Sequence, residues 1–189
     1  MRYNELTFQG RNAVLEAFRS GKTIDKLFIL DGCQDGPIKS IVREAKKTDA
    51  IINYVDKERL DRLAGTGHHQ GVVAIGAAYE YAEVEDILAA AKEKGEDPFI
   101  FILDEIEDPH NLGAIIRTAN LAGAHGVIIP KRRAVGLTAT VAKTSAGAIN
   151  YTPVAKVTNI SQTIEELKKQ GLWFVCADMG GETMYNLLS

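Results

Sequence analysis

Cysteine is almost missing from this chain. Cys33 and Cys176 are the only two in 189 residues, and they form neither a C-x-x-C pair nor a metal-ligand spacing. That excludes a disulfide scaffold and leaves two free thiols in a reducing compartment as the expectation. His68, His69 and His110 also lack partners at ligand spacing, so no metal site is expected. No apolar run approaches the roughly 20 residues that span a bilayer. The opening MRYNELTFQGRN is too polar for a secretion signal, and a cytoplasmic protein is expected. Low-complexity tracts and internal repeats are absent too. With 46% hydrophobic and 25% charged residues, the composition is that of an ordinary globular protein.

Neither sign of charge dominates, since the net charge is −3. Its distribution is uneven. Residues 79–97 hold seven acids against Lys92 and Lys94, a local −5 that leaves +2 for everything else. Binding to nucleic acid is permitted by this balance without being required by it.

Periodicity divides the chain into two α/β blocks. The first reads αβαβαβ: a helix around 13–18, a strand at 26–30, a helix at 38–47, a strand at 51–55, a short helix capped by Asp56, and a strand at 71–75. It ends near Ala78. The acidic stretch 79–97 is expected to be a linker carrying a helix at 84–94, closed by Gly95. The second block reads βαβαβαβ. Phe99–Leu103 is expected as a strand buried on both faces of a parallel sheet. Then come a helix at 112–122, a strand at 127–129, a helix at 138–148 and a strand at 154–157. A helix at 160–170, with Asn159 and Gln162 as a capping box, and a strand at 173–177 complete it.

Parallel sheets bind ligands beyond the carboxyl ends of their strands, which directs attention to Asp104-Glu105-Ile106-Glu107-Asp108-Pro109-His110-Asn111. Pro109 sets a turn and pushes Asp108 away from helical geometry. Asn111 occupies a position suited to an N-cap. Gly113 permits a close approach to the backbone, and Arg117 interrupts an apolar helix. Each residue also has a purely structural explanation as cap, turn or solvated cation. Lys131-Arg132-Arg133 after Pro130 reads equally well as a solvated loop and as a phosphate contact. Gly65-Thr66-Gly67-His68-His69-Gln70-Gly71 is one residue too long for a dinucleotide fingerprint and precedes a strand. A nucleotide-dependent oxidoreductase is therefore excluded.

Asp108-Pro109-His110-Asn111-Leu112-Gly113-Ala114-Ile115-Ile116-Arg117-Thr118-Ala119 resembles the first signature motif of the SpoU/TrmH family of RNA ribose 2′-O-methyltransferases. Gly10–Ala17 is similar to that family's opening helix, His69–Val72 to the element closing its RNA-binding domain, and Ala142–Ala148 with Pro153-Val154 to the segment before its next strand. Bacterial 23S rRNA guanosine 2′-O-methyltransferases are the relatives this suggests. The resemblance implies an α/β chain with a small L30e/L7Ae-like domain at 1–78 that binds the RNA substrate. A linker at 79–97 and a parallel-sheet α/β-knot (SPOUT-like) catalytic domain at 98–189 would follow.

The implied reaction is methyl transfer from S-adenosylmethionine to a ribose 2′-hydroxyl during rRNA processing. The family's arginine maps to Arg117 and its asparagine to Asn111. Arginine keeps its proton at ordinary pH, so the implied role of Arg117 is to hold the 2′-oxygen and an adjacent phosphate, with Asn111 orienting Arg117 or the substrate. RNA contacts are implied for Arg11, Asn12, Lys131 and Arg132, and a homodimer for the family. The family's glycine-rich G-S-E-G-type loop and its later Ser-Leu-Asn motif do not occur in these 189 residues. The expected catalytic domain therefore lacks its C-terminal knot segment. Ala177 and Asp178 remain as cofactor-edge candidates, and S-adenosylmethionine is expected to bind weakly or not at all. The alternative reading is a non-catalytic RNA-binding protein.

Overall fold

A computed structural model describes residues 6–177 apart from 49 and 66, and they fall into two units, 1–158 and 159–189. In the first unit, β1 (Leu6–Gln9), β2 (Ile24–Leu30), β3 (Ile51–Val55) and β4 (Val72–Gly76) form one sheet in the order β1-β4-β2-β3. Only β2 and β3 run parallel. β4 lies antiparallel to both β1 and β2, so this sheet is mixed and contains an N-terminal strand that the polar opening segment did not reveal.

Helices α1 (Arg11–Arg19) and α2 (Gly36–Lys47) cover one face. Val14, Phe18, Ile38 and Ile41 pack there on Leu27, Ile29, Val72 and Ala74. Helix α3 (Lys57–Ala64) covers part of the other, where Leu60 and Ala64 meet Phe28, Val55 and Val73. Asp56 caps α3 as expected, accepting from the Arg59 amide at 2.7 Å.

A second sheet in the same unit consists of β5 (Ile100–Ile102), β6 (Gly126–Pro130) and β7 (Val154–Val157), all parallel and adjacent in that order. Helices α5 (Pro109–Leu121) and α6 (Ala139–Thr144) bury Leu112, Ile116 and Val141 against Val127, Ile129 and Val154. The strand at 99–103 is shorter than expected and only half-buried. It is an edge strand paired with β6 alone, so one flank of it is uncovered among the described residues. The helix expected at 138–148 stops at Thr144. Ala146 (φ 50°) and Gly147 (φ 89°) turn left-handed, and a 3₁₀ turn at Ala148–Asn150 follows.

The acidic stretch is built into this unit. Its helix α4 (Val84–Lys94) ends at left-handed Gly95 and has Ile87 and Ala91 fully buried. A Cβ on Gly126, the first residue of β6, would fall 2.5 Å from Ile87 Cδ1. Glycine is therefore required for α4 to lie this close. The preceding Ala82 bridges Ala155 of β7 and donates to the Val154 carbonyl at 2.9 Å.

In the second unit, α7 (Ile160–Lys169) starts at Asn159, whose side chain accepts from the Gln162 amide at 3.0 Å. The reciprocal half of the box does not form, because the Gln162 side chain donates to Glu166 at 2.9 Å. Residues 172–177 join no ladder among the described residues, contrary to the strand expected at 173–177. An apolar run becomes a strand only when neighbours take its amides and carbonyls, and Trp173 is 96% exposed.

Candidate functional site

Helix α5 follows the carboxyl end of β5 and carries the motif residues. Its N-cap is Asp108, extended at φ −85° and ψ 123°, which accepts from the Asn111 amide at 2.8 Å, with Pro109 in the first turn. The cap expected at Asn111 is thus supplied three residues earlier, where proline enforces the extended backbone a cap needs. The Asn111 side chain is exposed and has no hydrogen bond among the described residues. Arg117 is likewise exposed, with no ion pair among the described residues. The two are six positions apart, which places them about 120° apart around the helix, and no bond joins them. The close approach foreseen at Gly113 is made by the protein itself. A Cβ there would fall 1.9 Å from Thr144 Oγ1, so this glycine lets α6 lie against α5.

The loops after β5 and β6 are pinned together. Val135 N–H donates to the Ile106 carbonyl and Lys131 N–H to that of Val157, each at 2.8 Å. Glu105 and Arg133 both sit at positive φ (52° and 57°) and form an ion pair with each other at 2.8 Å. Two non-glycine residues held in the left-handed region cost roughly 1–3 kcal/mol each and are characteristic of ligand-binding loops.

Lys131, Arg132 and Arg133 line a cleft of about 330 Å³ with Lys26 and Phe28 of β2, Ile51 and Asn53 of β3, and Arg59 of α3. Lys26 and Arg59 are isolated in the sequence, and nothing local pointed to them. Only the Lys131–Arg133 run carried a signal. Arg11 is committed elsewhere: its guanidinium pairs with Asp35 and its Nε donates to the Gln70 carbonyl at 3.2 Å. Asn12 beside it is exposed.

Asp25, the neighbour of Lys26 in β2, belongs to a buried polar cluster. Asp25 is the bulged residue of β2, where the register against β4 shifts between Ile24 and Lys26. The bulge lets Ile24 join Leu27 and Ile29 in one core and releases Asp25 from it. The Asp25 carboxylate pairs with Lys156 of β7 and accepts from Tyr81 Oη at 3.1 Å. Tyr81 Oη in turn accepts from the Leu137 amide at 2.9 Å. Lys156 Nζ lies 4.0 Å from the centre of the Tyr81 ring. Burial, followed by the Asp25 charge, pushes the Tyr81 phenol far above its ordinary range. Burial also lowers the Lys156 ammonium, Asp25 opposes that shift, and Lys26 and Lys131 add to it.

Residues 9–82 match the family described as RNA 2′-O ribose methyltransferase substrate binding, and residues 98–188 match the SpoU rRNA Methylase family. Over 169 residues the chain is 54% identical to YacO of Bacillus subtilis, named as a TrmH family tRNA/rRNA methyltransferase. The match covers 89% of this chain and 68% of that one. The chain belongs to the SpoU/TrmH family of RNA methyltransferases.

A family member from Staphylococcus haemolyticus is 47% identical over 181 residues, 96% of this chain and 72% of its own. Two solved structures are more distant. The AdoMet-bound rRNA methyltransferase of Sinorhizobium meliloti is 23% identical with a TM-score of 0.40. AviRb of Streptomyces viridochromogenes, in complex with AdoMet, is 19% identical with a TM-score of 0.43. The chain spans 58% and 60% of their lengths while 86% and 90% of it is matched.

S-adenosylmethionine is the cofactor the family implies. The cationic cleft does not form a seat for it. The cleft beside the carboxyl edge of β6 is lined by five cations, with no carboxylate and no exposed aromatic ring, and a sulfonium cation bearing adenine requires the reverse. Ala177 is exposed and outside any strand, and Asp178 lies outside the described residues. Among the described residues no group of side chains suits a metal ion, and no helix is long and apolar enough to cross a membrane.

Proposed function

We propose that the chain acts in ribose 2′-O-methylation of RNA, rRNA foremost, with residues 1–78 binding the substrate and 98–189 belonging to the catalytic domain. The observation that carries this reading is the Arg117 guanidinium, exposed on the first helix after β5 and without a protein partner among the described residues. A protonated fork so placed donates to a 2′-oxygen and a neighbouring phosphate at once. It holds the nucleophile and offsets negative charge as that charge develops. Asn111, freed by Asp108 from capping, offers an amide to the same RNA. The two residues act on the substrate separately, since six helical positions keep them apart. S-adenosylmethionine is the methyl donor of this reading, and a homodimer belongs to it, with exposed Leu121 and Tyr151 as apolar side chains such a contact would cover.

A second reading, RNA binding without catalysis by this chain, is favoured by the cationic character of the cleft. One experiment separates the two. The chain is incubated with rRNA and methyl-labelled S-adenosylmethionine, and the RNA is then hydrolysed in alkali. Label in alkali-resistant dinucleotides supports 2′-O transfer, and label on a base overturns it. Arg117→Ala should then lower the rate by roughly 100-fold or more while RNA affinity stays within about twofold. Retained RNA binding with no label, and no heat of S-adenosylmethionine binding in calorimetry, establishes the second reading.

A further inference from the structure

The five-cation cleft exceeds what a solvated surface would need. Lys26 and Arg59 come from the first sheet and its helix, and Lys131, Arg132 and Arg133 from the loop after β6, yet all face one opening. Of these, Arg133 is neutralised by Glu105. Lys26, Arg59 and Arg132 have no ion pair among the described residues. Asp25, which precedes Lys26 in β2, is already taken up by Lys156 and the Tyr81 hydroxyl. The opening therefore presents net positive charge toward solvent, with low-dielectric walls on either side that focus its field.

Both walls are held rigidly in place. Ala78 N–H donates to the Leu137 carbonyl at 2.8 Å, and Tyr81 Oη binds Asp25 of one sheet and the Leu137 amide on the other side. At Gly136 a Cβ would fall 2.1 Å from Asp25 Oδ2, so the two parts touch at backbone distance. The spacing between the cations on the two walls is thus set by buried contacts before any ligand arrives, which reduces the ordering cost of binding.

The shape narrows the ligand. At about 330 Å³ the cleft is at the lower end of small-molecule pockets, roughly 300–1,000 Å³, and its apolar residues, Phe28, Ile51, Ile52 and Ala134, are outnumbered by cations. Phe28 is the only aromatic residue of the lining and is 5% exposed, so no ring is offered for a base to stack on. What remains is recognition of consecutive phosphates. We infer that this cleft seats the phosphodiester backbone of an RNA segment running from the first sheet to the carboxyl edge of the second, held by Lys26, Arg59 and Arg132 without regard to base identity. This deepens the RNA-binding part of the proposed function and rests on it.

The test measures affinity for a single-stranded RNA of about 20 nucleotides, longer than a typical single-strand site, across a range of salt concentrations. For the triple variant Lys26→Ala, Arg59→Ala, Arg132→Ala, the slope of log affinity against log salt should become shallower by about 0.7 per cation, or about 2 in all. The loss should be the same for uridine-rich and adenine-rich RNA. A variant of equal charge change outside the cleft, Lys22→Ala, Lys92→Ala, Lys94→Ala, should leave the slope within about 0.5 of the unaltered chain. The charge-preserving triple Lys26→Arg, Arg59→Lys, Arg132→Lys should retain the slope and guards against misfolding. An unchanged slope in the cleft variant, or an equal loss in the remote one, overturns the cleft assignment while RNA binding by the chain stands. An unaltered chain that binds no RNA overturns the RNA reading itself.

Discussion

At the scale of single residues, the division of labour between Asp108 and Asn111 decides what α5 can do. Both are good capping residues, and capping preference alone does not choose between them. Pro109 settles it through the backbone, since the residue before proline is forced extended and an N-cap must be extended. Asp108→Ala should therefore cost about 0.5–2 kcal/mol of stability. Asn111→Ala should cost almost none, and should instead impair methyl transfer or RNA affinity. Chemical denaturation of the two variants distinguishes them. If both are equally destabilised, Asn111 is structural after all. Gly113 shows the complementary limit of reading from sequence: the need for a small residue was legible, and its cause, Thr144 on another helix, was not.

Elements were more legible than residues wherever periodicity and caps agreed. The strands at 51–55 and 154–157 and the helix at 84–94 match the bounds read from the pattern. Environment is less legible. Seven carboxylates outweigh two buried apolar positions in the composition of the acidic stretch, and its burial does not show there. Ile87 fills a space that Gly126 keeps open. Ile87→Ala should cost about 2–5 kcal/mol, the range for a buried isoleucine in a core, measured as a shift in the urea midpoint. A solvated linker helix would lose less than about 0.5 kcal/mol. The run at 173–177 errs the other way: its composition suits a strand, but composition cannot supply a ladder partner.

For the molecule as a whole, the decisive contact joins Asp25 to Lys156, 131 residues apart. Nothing local announces such a pair, and the bulge that aims Asp25 is invisible without its partner strand. The cluster gives the protein a characteristic response to alkali. The Tyr81 phenol ordinarily titrates at 10.0 and is raised in the folded state. Above pH 10 the unfolded chain has therefore lost this proton while the folded chain keeps it. Stability then falls as pH rises, by up to about 1.4 kcal/mol per pH unit. Lys156, lowered from 10.5, acts in the opposite sense: below 10.5 the unfolded chain binds the extra proton, so its contribution grows with pH until that value is passed. Denaturation above pH 10.5 should thus show the Tyr81 slope, and Tyr81→Phe should flatten it. An unchanged slope in that variant would mean another group titrates.

Gly136 gives the Asp25–Lys156 contact a consequence for recombination. Because backbone and carboxylate meet there at a distance no other side chain permits, the junction works as a compatibility check between the two sheets. A related front half grafted onto this back half must bring its own bulged aspartate, or else leave an ammonium stranded beneath the Tyr81 ring. Chimeras joined near residue 78 are therefore expected to succeed or fail on one acid and one glycine, however similar the rest of the two parents.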